Sequence, residues 1–177
     1  MFARVLLLVI VVLAMEGNLD ASQRYKNEKY CFSVATPVGM RVARESQDGA
    51  GAVFTFRNPC GLDDPTCNFI DVSAGYLTYS RDADPLTELT KKYESEGWAS
   101  KSDGTFGHAK GWRQQALFKG SGDQQREVHI FVRTVRREET AVGYEIVGEF
   151  YSSERKAFAK SVQEVLTSWR LSRDCES

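Results

Sequence analysis

Between residues 112 and 151 the chain repeats one pattern three times: an apolar stretch of strand length that ends in a turn or at the next element. Residues 112–119 lead into Gly120-Ser121-Gly122-Asp123, and residues 126–136 lead into Arg137-Glu138-Glu139-Thr140. Residues 142–151 close the set. Strands joined by such short connections lie side by side, so this stretch predicts an antiparallel meander. A meander with an apolar face needs a cover. Two helical patterns can provide it.

The first helical pattern opens at Asp84-Pro85-Leu86, with Asp as N-cap and Pro in the first turn. Leu86, Leu89 and Tyr93 recur at helical spacing, Glu88 and Lys92 form an i,i+4 pair, and Gly97 supplies the stop. The second runs over about residues 154–171. Phe158, Val162, Val165, Leu166 and Trp169 form one apolar stripe, and Arg155, Lys156, Lys160, Gln163 and Glu164 lie opposite. Upstream, residues 30–35 place Tyr30, Phe32 and Val34 on one face of a strand, and Pro37-Val38-Gly39 turns the chain. Residues 51–56 and 69–79 read as two further strands. Residues 22–29 are polar and read as a loose lead-in; residues 173–177 read as a tail. The order is strands, helix, meander, helix. It predicts an α+β fold over residues 30–172, a central antiparallel sheet flanked by helices in a single domain.

This order, with a few anchor residues, resembles the PsbP-like superfamily, whose fold is shared by a Ran-binding nuclear import factor and many exported bacterial proteins. The anchors are Tyr30, Phe32 and Pro37 in a Y-x-F-x-x-x-x-P opening, the mid-chain amphipathic helix, the hairpin entered at Trp112, and the ending Leu166-Thr167-Ser168-Trp169-Arg170-Leu171. The likeness covers roughly residues 28–172. It implies a sheet flanked by helices and a role in binding proteins or accessory factors. It carries no shared catalytic motif, and fold alone does not fix function.

The N-terminus speaks of compartment. Arg4 precedes an unbroken apolar run from Val5 to Met15, and a small-residue segment follows, ending Leu19-Asp20-Ala21. That is the layout of a secretory signal cleaved near Ala21, and the run is short of the roughly 20 residues that span a bilayer. A retained N-terminal anchor is the competing reading. Export makes four cysteines read as disulfides. Cys60 and Cys67 bracket a turn-forming loop and are expected to pair, which leaves Cys31 and Cys175. Four cysteines nevertheless allow three connectivities. A zinc site is disfavoured, since the chain has no Cys-x-x-Cys and no His beside any Cys. Removal of residues 1–21 takes away Arg4, Glu16 and Asp20, which leaves 22 basic and 22 acidic residues of the original 23 and 24. Such balance lacks the electrostatic footprint of a nucleic-acid binder.

Catalytic signatures are absent from the sequence. It has no G-x-S-x-G elbow, no P-loop and no calcium-loop spacing around Asp63-Asp64. The best polar constellation lies in the meander. With the second hairpin centred near Glu139, His129 stands opposite Glu149 and Arg133 opposite Glu145. Arg113 and Gln115 join the same face. Two readings compete: a ligand or partner surface with His129 and Glu149 as an acid–base pair, and the solvated, salt-bridged face of a half-covered sheet. The sequence therefore predicts an exported or periplasmic, non-enzymatic binding module, a monomer or weak dimer. Its expected partner is another cell-envelope protein; no nucleic acid, metal or cofactor is expected. One pointed version is an immunity protein against a delivered antibacterial toxin. A ligand-binding or hydrolytic domain using His129 and Glu149 is the alternative.

Overall fold

A computed structural model describes residues 23–56, 67–77, 84–100, 109–137 and 140–172. In chain order its elements are β1 (Arg24–Asn27), β2 (Phe32–Ala35), β3 (Met40–Glu45), β4 (Gly51–Phe56) and β5 (Phe69–Tyr76). Then come α1 (Pro85–Ser95), β6 (Ala99–Ser100), β7 (Arg113–Lys119), β8 (Arg126–Arg137) and β9 (Thr140–Tyr151). α2 (Arg155–Ser168) and β10 (Arg170–Leu171) close the fold. Seven strands form one antiparallel sheet in the order β3-β4-β5-β9-β8-β7-β6, and β1-β2-β10 form a second. This is the α+β architecture expected, with β7-β8-β9 as the meander.

The main sheet is covered on both faces. On one, α2 and the small sheet bury Phe32, Val34, Phe54, Ile70, Phe131, Tyr144, Ile146 and Phe150. The α2 stripe supplies Phe158, Val162, Val165 and Leu166 to the same core. Gly148 permits the close approach: a Cβ there would lie 3.1 Å from both Phe158 and Val162. On the other face, α1 lays Leu86, Leu89 and Tyr93 over Leu117, Val128, Ile130, Val132 and Val147, with Trp98 beside them. Pro85 opens α1 and Gly97, at φ +89, ends it, as the sequence predicted.

Four expectations are corrected. The lead-in at residues 22–29 contains a strand: β1 pairs with β2, exposing Arg24 and Lys26 and burying Tyr25 and Asn27. Asn27 is held by Tyr25, Gly49 and Tyr30, so a polar residue fills a core position. A strand unforeseen in the sequence, β3, follows the Pro37-Val38-Gly39 turn; it is a charged edge strand with a register shift between Val42 and Arg44, which obscures its alternation. The last helix stops at Ser168: Trp169 takes an extended conformation (ψ 131) and residues 170–171 pair with β2. Trp169 stays buried all the same.

The fourth correction is the register of the second hairpin. Arg137 pairs with Thr140, so the centre falls half a residue before Glu139, and His129 stands opposite Gly148, Arg133 opposite Tyr144. Glu149 pairs with Val128 and Glu145 with Val132. A one-residue slip sends side chains to the opposite face.

Candidate binding face

That slip divides the predicted constellation. Arg113, Gln115, Glu145 and Glu149 share the α1 side of the sheet, paired in turn with Val132, Ile130, Val132 and Val128. His129 and Arg133 face the α2 side. Arg133 lies over the ring of Trp169, 4.7 Å from its centroid. His129 is only 1% exposed and stacks on Phe150 with ring centroids 5.3 Å apart. The proposed His129–Glu149 acid–base pair therefore does not exist.

His129 has another carboxylate. Its Nε2 lies 3.0 Å from Glu127 Oε2, two residues along the same strand. A carboxylate accepts, so Nε2 carries the proton. The same oxygen takes an ion pair from Arg155 at 3.0 Å. Burial pushes the His129 imidazole below its ordinary range, against the raising effect of Glu127. The ring is enclosed, which does not suit general acid–base work on a substrate.

The α1 side is chemically richer. Glu149 pairs with Arg126 at 3.0 Å, and Arg126 also donates to the Cys67 carbonyl at 2.8 Å. Arg113 pairs with Asp84 at the start of α1, and Gln115 donates to the Ala116 carbonyl at 3.0 Å. Asp71, on β5, joins them: it pairs with Val147 and Ser73 pairs with Glu145, so Asp71 and Glu145 are diagonal neighbours on one face. Burial raises the Asp71 carboxyl to about 6, with Arg44 and Lys92 opposing. Burial, then the neighbouring Asp71, raises Glu145; burial also raises Glu149, with Arg126 opposing. Tyr93 of α1 is pushed up by its own burial and by these carboxylates. Beside them, Asp71 and Ser73 form part of an open depression of about 420 Å3, with Arg44, Asp48 and Val53 among its walls. Among the described residues no group of His, Cys, Asp and Glu side chains is placed to hold a metal ion.

Along the sequence, nothing singles out Asp71, Arg126, Glu127 or Arg155 as site residues. The available signal for Asp71 was a lone acid between Ile70 and Val72 in a strand. Its neighbours come from β9 and β3, and only the sheet order supplies them.

Neither cysteine among the described residues is free: Cys31 and Cys67 are each disulfide-bonded. Cys60 and Cys175 lie outside the described residues, so the pairing remains an expectation. The same holds for the apolar run at residues 5–15. No described helix is long and apolar enough to cross a membrane.

Fold and faces together define a class, an α+β domain whose antiparallel sheet is flanked by helices. Its likenesses are structural. LpqN of Mycobacterium tuberculosis, described as involved in cell envelope biogenesis, superposes with a TM-score of 0.57 at 13% identity, over 86% of each chain. The Saccharomyces cerevisiae Ran-binding protein Mog1p superposes with a TM-score of 0.50 at 14% identity, covering 84% of this chain and 94% of its own. The cyanobacterial PsbP of Synechocystis also matches, over 88% of this chain and 95% of its own at 12% identity; its TM-score of 0.46 adds no weight. No protein-family model and no curated sequence matches this chain. At such identities the likeness shows a common fold.

Proposed function

We propose that the chain is an exported, non-enzymatic binding module that acts on another protein of the cell envelope. The observation that carries this reading is the likeness to LpqN along 86% of both chains, taken with the secretory layout of residues 1–21. The enclosure of His129 supports binding over catalysis, since it removes the chain's best acid–base candidate from reach of a substrate. The partner surface we assign is the α1 side of the sheet, with Arg113, Gln115, Glu145 and Glu149 together with Asp71. His129 and Arg133, on the opposite face, are left out of it.

The test is cross-linking and co-purification from envelope extract of the source cell. Wild type should retain a specific envelope protein, and the charge reversals Glu145→Lys and Asp71→Lys should each cut that retention at least tenfold. A delivered antibacterial toxin as the captured protein would specify the immunity role. Equal retention by all three proteins would move the surface elsewhere. No retained protein, together with turnover in a broad hydrolase screen, would overturn the binding reading itself.

A further inference from the structure

α1 covers only part of its side of the sheet. It packs on β6, β7 and β8 and closes the apolar strip of Leu117, Val128, Ile130 and Val147. The sheet continues past it through β9, β5, β4 and β3. There β5 is one-sided. Ile70, Val72 and Ala74 are buried in the α2 core, while Asp71, Ser73 and Gly75 on the α1 side are half-exposed. β4 and β9 flank β5, so what lies open is a sheet face and not an edge. The floor of that face is low. A Cβ at Gly75 would meet nothing within 4 Å, and beside Asp71 and Ser73 the surface dips into the depression walled in part by Arg44, Asp48 and Val53.

Two carboxylates stand on this face. Asp71 pairs with Val147 and Ser73 with Glu145, which makes Asp71 and Glu145 diagonal neighbours, about 7–8 Å apart in standard sheet geometry. The ion pairs among the described residues are made by Asp84, Glu127 and Glu149, and none by Asp71 or Glu145. Arg44 and Lys92 act on Asp71 through space, and Lys92 also on Glu145.

We propose that this open half of the sheet docks a basic segment of the partner, and that one arginine of that segment enters the depression and bridges Asp71 and Glu145. The proposal rests on the binding reading above and names the chemistry that the partner presents. A guanidinium is the cation that fits. Its planar fork offers N–H donors on two sides, so one group serves two carboxylates, whereas a lysine ammonium is a point charge. An acidic or neutral segment would cover both carboxylates and leave them unpaired, which is costly.

Docking is then coupled to protons. The groups that face Asp71 are Arg44, Glu45 and Asp48 around the depression, Glu145 on β9, and Lys92 and Tyr93 on α1; Tyr25 of β1 also feels its charge. Burial holds the Asp71 carboxyl at about 6, and the cation takes the ionised form. Affinity is therefore full above 6 and falls below it, by at most tenfold per pH unit for this one group. Glu145, also raised, steepens the fall in more acid solution.

The experiment follows the side-chain carboxyl carbons of the full chain by NMR between pH 4 and 8. The probe is a blocked peptide, acetyl-Gly-Arg-Gly-amide, and its control is the same peptide with neutral citrulline in place of arginine. With the arginine peptide at ten times its Kd, the Asp71 midpoint should fall by about one pH unit. Amide shifts should gather at Val53, Asp71, Ser73 and Glu145. The citrulline peptide should move neither. Asp71→Asn should weaken arginine-peptide binding at pH 8 at least tenfold and remove its dependence on pH near 6. An unmoved Asp71 midpoint at about 10 mM arginine peptide, an equal response to citrulline, or undiminished binding by Asp71→Asn would each overturn the arginine site. The two readings fail separately. A retained envelope protein without a peptide response refutes the arginine site and leaves the binding role. A peptide response without any retained protein supports the site and refutes the envelope partner.

Discussion

Asp71 is the residue whose surroundings differ most from what its sequence context suggests. It lies between Ile70 and Val72, both buried, and its own face brings it beside Glu145. Burial lifts its carboxyl from the ordinary 3.8 to about 6. A raised carboxyl means that the folded state prefers the proton. Stability from this group is therefore present below 3.8 and lost as pH rises to 6, so at neutral pH the ionised form is a net cost. Asp71→Asn should stabilise the protein by about 1–2 kcal/mol at pH 7 and by almost nothing at pH 4. Urea denaturation at the two pH values checks this, and a destabilised Asn variant at pH 7 would show that the carboxylate holds a favourable partner. Sequence reading missed the site because cross-strand neighbours depend on sheet order and register. The His129 assignment failed for a related reason: the half-residue centre of one hairpin decides which face a side chain takes.

At the scale of elements, the legible parts were those with strong periodicity and clear ends. The α1 pattern from Pro85 to Gly97 and the three strands of the meander stand where the apolar spacing put them. What was illegible had little apolar content to show. β1 has one buried apolar residue, Tyr25, in four, and β3 is a charged edge. The end of α2 was misplaced because Trp169 continues the apolar stripe after the helix has stopped. Its backbone changes to an extended form while its ring remains in the core, against Tyr144 at 5.0 Å and Trp112 at 5.5 Å. The ring is thus a packing centre for Tyr144, Trp112 and the Arg133 guanidinium. Trp169→Ala should destabilise by about 3–5 kcal/mol, the range for a large aromatic removed from a core. Chemical denaturation measures it, and a loss of a few tenths would mean that the packing around the ring contributes little.

For the whole molecule, the disulfides link the fold to the compartment. Cys31 sits before β2 with a left-handed φ of 59, and its carbonyl accepts from the Ser172 amide at 2.8 Å. That bond fixes the chain beside Cys31 three residues before Cys175, a span of at most about 10 Å of extended backbone. The pairing we propose is Cys31 with Cys175, and Cys60 with Cys67. The first closes a loop of roughly 140 residues and the second one of roughly 8. In the chain-entropy account these are worth about 5 and about 2.5 kcal/mol. A non-reducing peptide map of protein from its native envelope should recover both linked fragments and a mature N-terminus near Ser22. The Cys31→Ser/Cys175→Ser double variant should then lose roughly twice the stability of Cys60→Ser/Cys67→Ser. A map linking Cys31 to Cys60 would break the pairing, and equal losses would mean that native-state strain outweighs loop length. An intact Met1 with free thiols at Cys60 and Cys175 would place the chain in a reducing compartment, and the envelope role would fall with it.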